Sequence, residues 1–217
     1  MEQNEKISKH LALWEIISVL VSFLLAMWVV VPLGGGRAWL RIIPIGTALI
    51  LIFLSHYVRG ETARDIGWRT DNFNQALKIL WLPTVSLMAI VLFLGWFFGS
   101  LRFNRSNLVT WSIWLLLWAV MQQYVLQGFF NRRTQIVFGK NWRNIVLVGI
   151  LFGLLHLPNP FLSGATFVCG MLWAFVYQRE PNLLVLTLAH AISSFTVACA
   201  LPSAWTNSLR VGVKYFG

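Results

Sequence analysis

Three glutamines stand inside one apolar run: Gln122 and Gln123 are adjacent, and Gln127 follows four residues after Gln123. Two histidines, His156 and His190, lie in later apolar runs. Phe152 precedes the first by four residues, and Ser194, next to Ser193, follows the second by four. That spacing puts each pair on one face of a helix. Imidazole is the side chain that titrates near neutral pH, so either histidine could act as a general base toward water. Two imidazoles, several amides and a hydroxyl could together line one polar pocket. The bland alternative is that each polar group only glues one helix to the next. Zinc held by His156, His190 and a glutamine oxygen is a weaker reading. Neither histidine belongs to His-Glu-x-x-His, and no carboxylate or thiolate is in register. No metal and no other cofactor is expected.

The elements that must carry these residues are membrane helices. The chain has 217 residues, of which 58% are hydrophobic and 11% charged, with twelve tryptophans. That is too apolar for an ordinary soluble domain. Seven stretches are candidate spans: 11–33, 42–58, 79–100, 109–130, 142–157, 161–178 and 182–201. The expected fold class is an all-α, polytopic transmembrane helix bundle of about seven spans. The expected division is N-terminal helices with a cytoplasmic loop over 1–105, a helical core over 106–201, and a short tail over 202–217. The net charge of +10 does not read as a nucleic-acid surface, because Lys and Arg lie between the apolar runs and build no single face. Eleven of them fall on one side of the seven-span topology and six on the other, which puts the N-terminus in the cytoplasm. At ~1.5 Å per residue, Gln122 then lies ~15 Å, His190 ~12 Å and His156 ~20 Å from the cytoplasmic edge. Helices at those depths could bring all three together in one polar pocket.

Other features are read more plainly. The first apolar run is too long for a signal peptide and reads as a retained helix. "GGG" at 34–36 marks a turn, and Asn and Asp residues near 71–74 start the next helix. The glycines of "GILFG", 149–153, share one helical face and allow close approach of a neighbouring helix. "HLPNP", 156–160, ends that helix, because proline cannot continue it. Cys169 and Cys199 read as small hydrophobes, and "NRS" at 104–106 as a chance match to a glycosylation acceptor. Glu15, in the first span, reads as an interfacial charge that snorkels to the cytoplasm. It would supply a base only if the first helix packs on the fourth.

The second half of the chain resembles the CPBP family, the CAAX-protease and bacteriocin-processing intramembrane proteins also called the Abi family. The family pattern is Glu-Glu-x-x-x-Arg followed by Gly-Phe and basic residues, then Phe-x-x-x-His, then His-x-x-x-Asn or a similar residue. "FGLLH" at 152–156 fits the second motif in full, and "HAISS" at 190–194 fits the third with Ser194 in the Asn place. "QQYVLQGFFNRR" at 122–133 aligns with the first. The resemblance implies a glutamate-dependent intramembrane endopeptidase. The first glutamate and a motif histidine would activate water, while the other histidine and the Asn hold the oxyanion.

The chemistry departs from that pattern. Gln122 and Gln123 stand in the places of the two glutamates and Gln127 in that of the arginine. No Asp or Glu occurs between Asp71 and Glu180. An amide cannot take a proton. Exchanging the carboxylates and the arginine together avoids a stranded buried charge and leaves a neutral network. Two readings follow. One is an enzyme with a histidine-based site made of His156, His190, Gln122, Gln123 and Ser194, supported by Gln127 and Phe152. The other is a non-catalytic relative that binds a membrane peptide as a chaperone, an immunity factor or a complex subunit. Either way the expected partners are the lipid bilayer and a membrane-embedded or lipidated peptide, with no nucleic acid. The expected location is a bacterial cytoplasmic membrane.

Overall fold

A backbone in hydrocarbon must satisfy its own N–H and C=O groups, so long apolar runs fold as helices. The computed structural model describes residues 2–34, 37–102 and 108–217, and among these there is no strand. Eight helices matter here: α1 Glu2–Leu25, α2 Ile42–Val58, α3 Phe73–Phe97, α4 Leu108–Gln123, α5 Arg132–Phe138, α6 Trp142–Leu154, α7 Pro160–Arg179 and α8 Leu183–Ala200. A π turn, Ala26–Val30, extends α1, and a longer π stretch, Tyr124–Asn131, joins α4 to α5. Six helical stretches are long and apolar enough to cross a membrane: Lys6–Leu33, Trp39–Val58, Phe73–Phe97, Thr110–Phe138, Pro160–Arg179 and Leu183–Ala200. The chain is an all-α polytopic membrane protein.

Six of the seven expected spans are thus long enough, and one is not. The stretch expected over 142–157 is helical only over Trp142–Leu154, 13 residues. Leu155 to Pro158 form turns, so the helix stops one turn ahead of the proline ring that could not have continued it. α3 starts at Phe73 as expected, but Asn72 does not cap it through its side chain. Of the "GGG" turn only Gly34 is described, and "NRS" lies outside the described residues.

The chain divides into two compact units. The first comprises Met1–Thr62, Phe129–Met171 and Arg210–Gly217. Here α1 packs on α2 and α5. Ala12, Ile16 and Val19 recur every three or four residues on its buried face, and Ala48 and Ile52 answer from α2. Small residues set the approach of α6 to α7, as "GILFG" predicts. A Cβ on Gly149 would lie 2.6 Å from Met171 Cγ and 2.8 Å from the Phe167 carbonyl oxygen, and one on Gly153 would lie 3.0 Å from the Ser163 carbonyl oxygen. Gly149→Ala is expected to destabilise the fold by about 1–3 kcal/mol through forced separation of the two helices. Gly164→Ala, with nothing within 4 Å of the added carbon, is the control. Thermal melts of both variants in detergent check this, and equal melting temperatures would contradict it.

The same unit holds a buried ion cluster where α2 ends. Arg133, fully buried, donates through Nη1 and Nη2 to the two oxygens of Glu61 (3.0 and 2.7 Å) and through Nε to Ser55 Oγ (2.8 Å). Arg132 Nε donates to Glu61 at 2.9 Å, and His56 Nδ1 donates to it at 2.6 Å. Glu15 lies 3.2 Å from Arg133 Nε and accepts from Arg59 at 3.0 Å. Glu15 is therefore no snorkelling interfacial charge: α1 turns it inward, where two guanidinium groups neutralise it.

Burial works to raise the pKa of Glu61, but hydrogen bonds from His56, Arg133 and Arg132 and the charge of Arg133 outweigh it. The carboxyl is held well below the ordinary range. A depressed folded-state pKa contributes stability above the unfolded value of about 4.5, and that contribution is lost as pH falls toward the folded value. The contribution of Glu61 should therefore be flat from about pH 8 to about pH 5 and decline below it. Glu61→Gln should lower the plateau and flatten the acid limb. Denaturation midpoints measured across that range test this, and an unchanged acid limb in the variant would refute it.

The second unit comprises Ala63–Gly128 and Leu172–Leu209. α8 packs on both α3 and α4. Ala76, Leu80, Thr84, Val91 and Gly95 form the buried stripe of α3, and a Cβ on Gly95 would lie 2.6 Å from the Ala200 carbonyl oxygen. Asn182, fully buried, starts α8: its Oδ1 accepts from the Val185 N–H at 3.0 Å, and its Nδ2 donates to the Arg69 carbonyl and to Asn72 Oδ1. Asn72 in turn donates to Glu180 at 3.0 Å. The polar residues near 71–74 thus anchor the entry of α8.

Candidate active site

The first motif lies where α4 changes geometry. Gln122 and Gln123 are the last residues of its α-helical part, and the π stretch opens with Tyr124 and carries Gln127. π segments widen the helix by one residue per turn and recur at functional sites. Gln123 and Gln127 are fully buried, whereas Gln122 is half-buried. Gly128 makes the packing possible, because a Cβ there would lie 2.9 Å from Ile66 Cγ2.

Within this unit Gln123 meets His190. The amide Nε2 lies 3.1 Å from His190 Nδ1, and both residues are buried. The Trp173 ring covers the imidazole, with centroids 4.6 Å apart and planes at 34°. The chemistry of the bond depends on the amide. If Gln123 Nε2–H donates to Nδ1, neutral His190 carries its own proton on Nε2 and is a hydrogen-bond donor there. If the amide is turned over, Nδ1–H donates to Oε1 and Nε2 becomes the basic nitrogen. The placed orientation is the first, and it leaves Gln123 Oε1 buried with no hydrogen-bond partner. Thr187 Oγ1, one turn before His190, is likewise buried with none. Ser194 lies one turn beyond His190 and is half-buried.

His156 and Phe152 belong to the first unit. His156 lies in the turn after α6, yet it still reaches back to Phe152. Its Nδ1 lies 2.7 Å from the Phe152 carbonyl oxygen, and the two rings meet edge to face at 4.7 Å. A carbonyl only accepts, so Nδ1 carries the proton and Nε2 of neutral His156 holds the lone pair. Spacing paired Gln123 with Gln127 and did not single out His190 as its partner, whereas the face it gave Phe152 and His156 is the one on which they meet. It gave no sign of Trp173, which stands in an unmarked apolar run, or of Thr187, whose only cue is its place three residues before His190. Among the described residues no three His, Cys, Asp or Glu side chains gather into a metal-binding set.

Residues 104–196 match the model of the family described as type II CAAX prenyl endopeptidase Rce1-like. Over that segment the chain is similar to the CAAX protease family. No curated protein and no solved structure matches it. The CAAX protease segment contains α4, the π stretch and α5 to α7, and reaches into α8 beyond Ser194. It therefore includes Gln122, Gln123, Gln127, Phe152, His156, His190 and Ser194.

Proposed function

We propose that this chain is a CAAX-type intramembrane endopeptidase whose site uses histidines and amides where the motif has carboxylates. The observation that carries the reading is the buried contact of the Gln123 amide with His190 Nδ1, which makes His190 Nε2 a donor in the orientation where Gln123 Nε2–H donates. His156, with its proton held on Nδ1 by the Phe152 carbonyl, offers Nε2 as a base. His190, with Nδ1 occupied by the Gln123 amide, offers Nε2–H as a donor. In this reading His156 Nε2 takes a proton from water as the water oxygen attacks the peptide carbonyl carbon. His190 Nε2–H and Ser194 stabilise the resulting oxyanion. The tetrahedral intermediate then collapses, the C–N bond breaks, and the proton on His156 passes to the leaving amine. Gln122, Gln123 and Gln127 hold the donor in place. His156 enters the proposal by its motif and its tautomer. The substrate is a membrane-associated peptide, and the positive-inside count puts the N-terminus in the cytoplasm.

The fully buried neutral amides favour one other reading, a relative that binds such a peptide without cutting it. Purified protein incubated with a prenylated CAAX-type peptide separates the two. Cleavage that falls by about 10²-fold or more in both His156→Ala and His190→Ala supports the endopeptidase. Saturable binding with no cleavage selects the binder, and cleavage indifferent to both substitutions would overturn the assigned site.

A further inference from the structure

The segment that follows Leu209 lies along the turn that carries His156. Asn159 Nδ2 donates to the Arg210 carbonyl at 3.0 Å, and the Gly212 N–H donates to the Leu157 carbonyl at 2.8 Å. Between these two bonds Val211 is extended, with φ −135° and ψ 166°. Asn159 is fully buried and held in place: its Oδ1 accepts from the Leu162 N–H at 3.0 Å, and its own N–H donates to the His156 carbonyl. Both bonds to the segment are made with its backbone, so they do not depend on side chains. Backbone hydrogen bonds to an extended segment are also what gives affinity when a peptide binds in extended form.

We infer that the edge formed by Leu157 and Asn159 is a docking site for an extended peptide, and that residues 210–212 of this chain occupy it as an internal ligand. The occupant is held in a way that favours exchange. Gly212 sits at φ +60°, and a Cβ there would lie 3.2 Å from Met27 Cβ and 3.3 Å from the Met27 carbonyl oxygen. The lead-in is strained, because Asn207, Ser208 and Leu209 all have left-handed φ values of 45°, 51° and 60°. Two backbone bonds with a strained approach make a strap that a visiting peptide can displace. The inference rests on the proposed function only in taking that visitor to be the substrate.

The test uses the chain in lipid nanodiscs and a fluorescent synthetic peptide with the sequence of residues 209–217. A chain lacking 210–217 should bind this peptide saturably, and the intact chain should bind it about tenfold more weakly or worse. Asn159→Asp in the shortened chain keeps the acceptor for Leu162 N–H and removes the Nδ2 donor, and it should weaken the peptide several-fold. Should the shortened chain fail to fold, Gly212→Val in the intact chain should unseat the strap and admit the peptide. A folded shortened chain that does not bind, or that binds equally well with Asn159→Asp, overturns the inference. Peptide binding without any cleavage of CAAX-type peptides would sink the endopeptidase alone. Cleavage without binding of the tail peptide would sink only the strap.

Discussion

The triple variant Gln122→Glu, Gln123→Glu, Gln127→Arg should cleave membrane-associated peptides about 10²–10⁴-fold faster than the parent, the range that a positioned general base contributes. A carboxylate at 123 would face His190 Nδ1, now 3.1 Å from the amide nitrogen, and would accept its N–H as a charge-assisted bond. The imidazole would then keep its proton on Nδ1 and present a basic Nε2, so that His190 would change from the donor of the amide-bearing chain to a base paired with a carboxylate. The arginine at 127 matters as much as the glutamates. Position 123 is fully buried, and an unpaired carboxylate there would be neutralised or would weaken the fold. Gln123→Glu alone should therefore lower the melting temperature and gain little rate, while the triple variant recovers stability and gains the rate. Rates and melting temperatures for the single, double and triple variants decide it. A folded triple variant no faster than the parent would mean that this pair is not the catalytic centre.

Arg133→Ala should be the most damaging single substitution outside that centre, with a loss of about 3–5 kcal/mol. The guanidinium is fully buried and holds Glu61 with both terminal nitrogens and Ser55 with the third, beside Glu15. Removing it takes the bidentate partner from Glu61, left with Arg132 and His56, and leaves Glu15 with Arg59. Arg133→Lys should be intermediate, because one ammonium cannot reproduce the fork. Adding Glu61→Gln to Arg133→Ala should restore part of the loss, since the stranded charge goes with its partner. Denaturation of the four chains gives the coupling directly. Additive losses would show that the two side chains do not act as one unit.

The reach of the sequence can be judged from these same residues. Apolar length made the helices legible, because about 18 residues without charge have few alternatives to a membrane span. It misled at 142–157, where apolar character continues through a turn that is not helical. The bond between Phe152 and His156 follows from spacing along one element. The bond between Gln123 and His190 joins residues 67 apart, and neither helical spacing nor the motifs paired these two in particular. The ion cluster was illegible. Glu15, His56, Glu61 and Arg133 each look like ordinary charges near helix ends, and only the packing of α1 on α2 and α5 turns them toward one another. Glu15 was misread for that reason: its neighbours in sequence say nothing of Arg59 and Arg133.

The thirteen residues of α6 reach only about 20 Å, about 10 Å less than the hydrocarbon layer of a typical bilayer. Were α6 to face lipid, local thinning of the bilayer would be one way to match so short a helix. Such a depression would bring headgroups, and the solvent they carry, down toward the turn of His156. For the hydrolysis proposed above, such thinning would bring the second reactant to that turn without a channel.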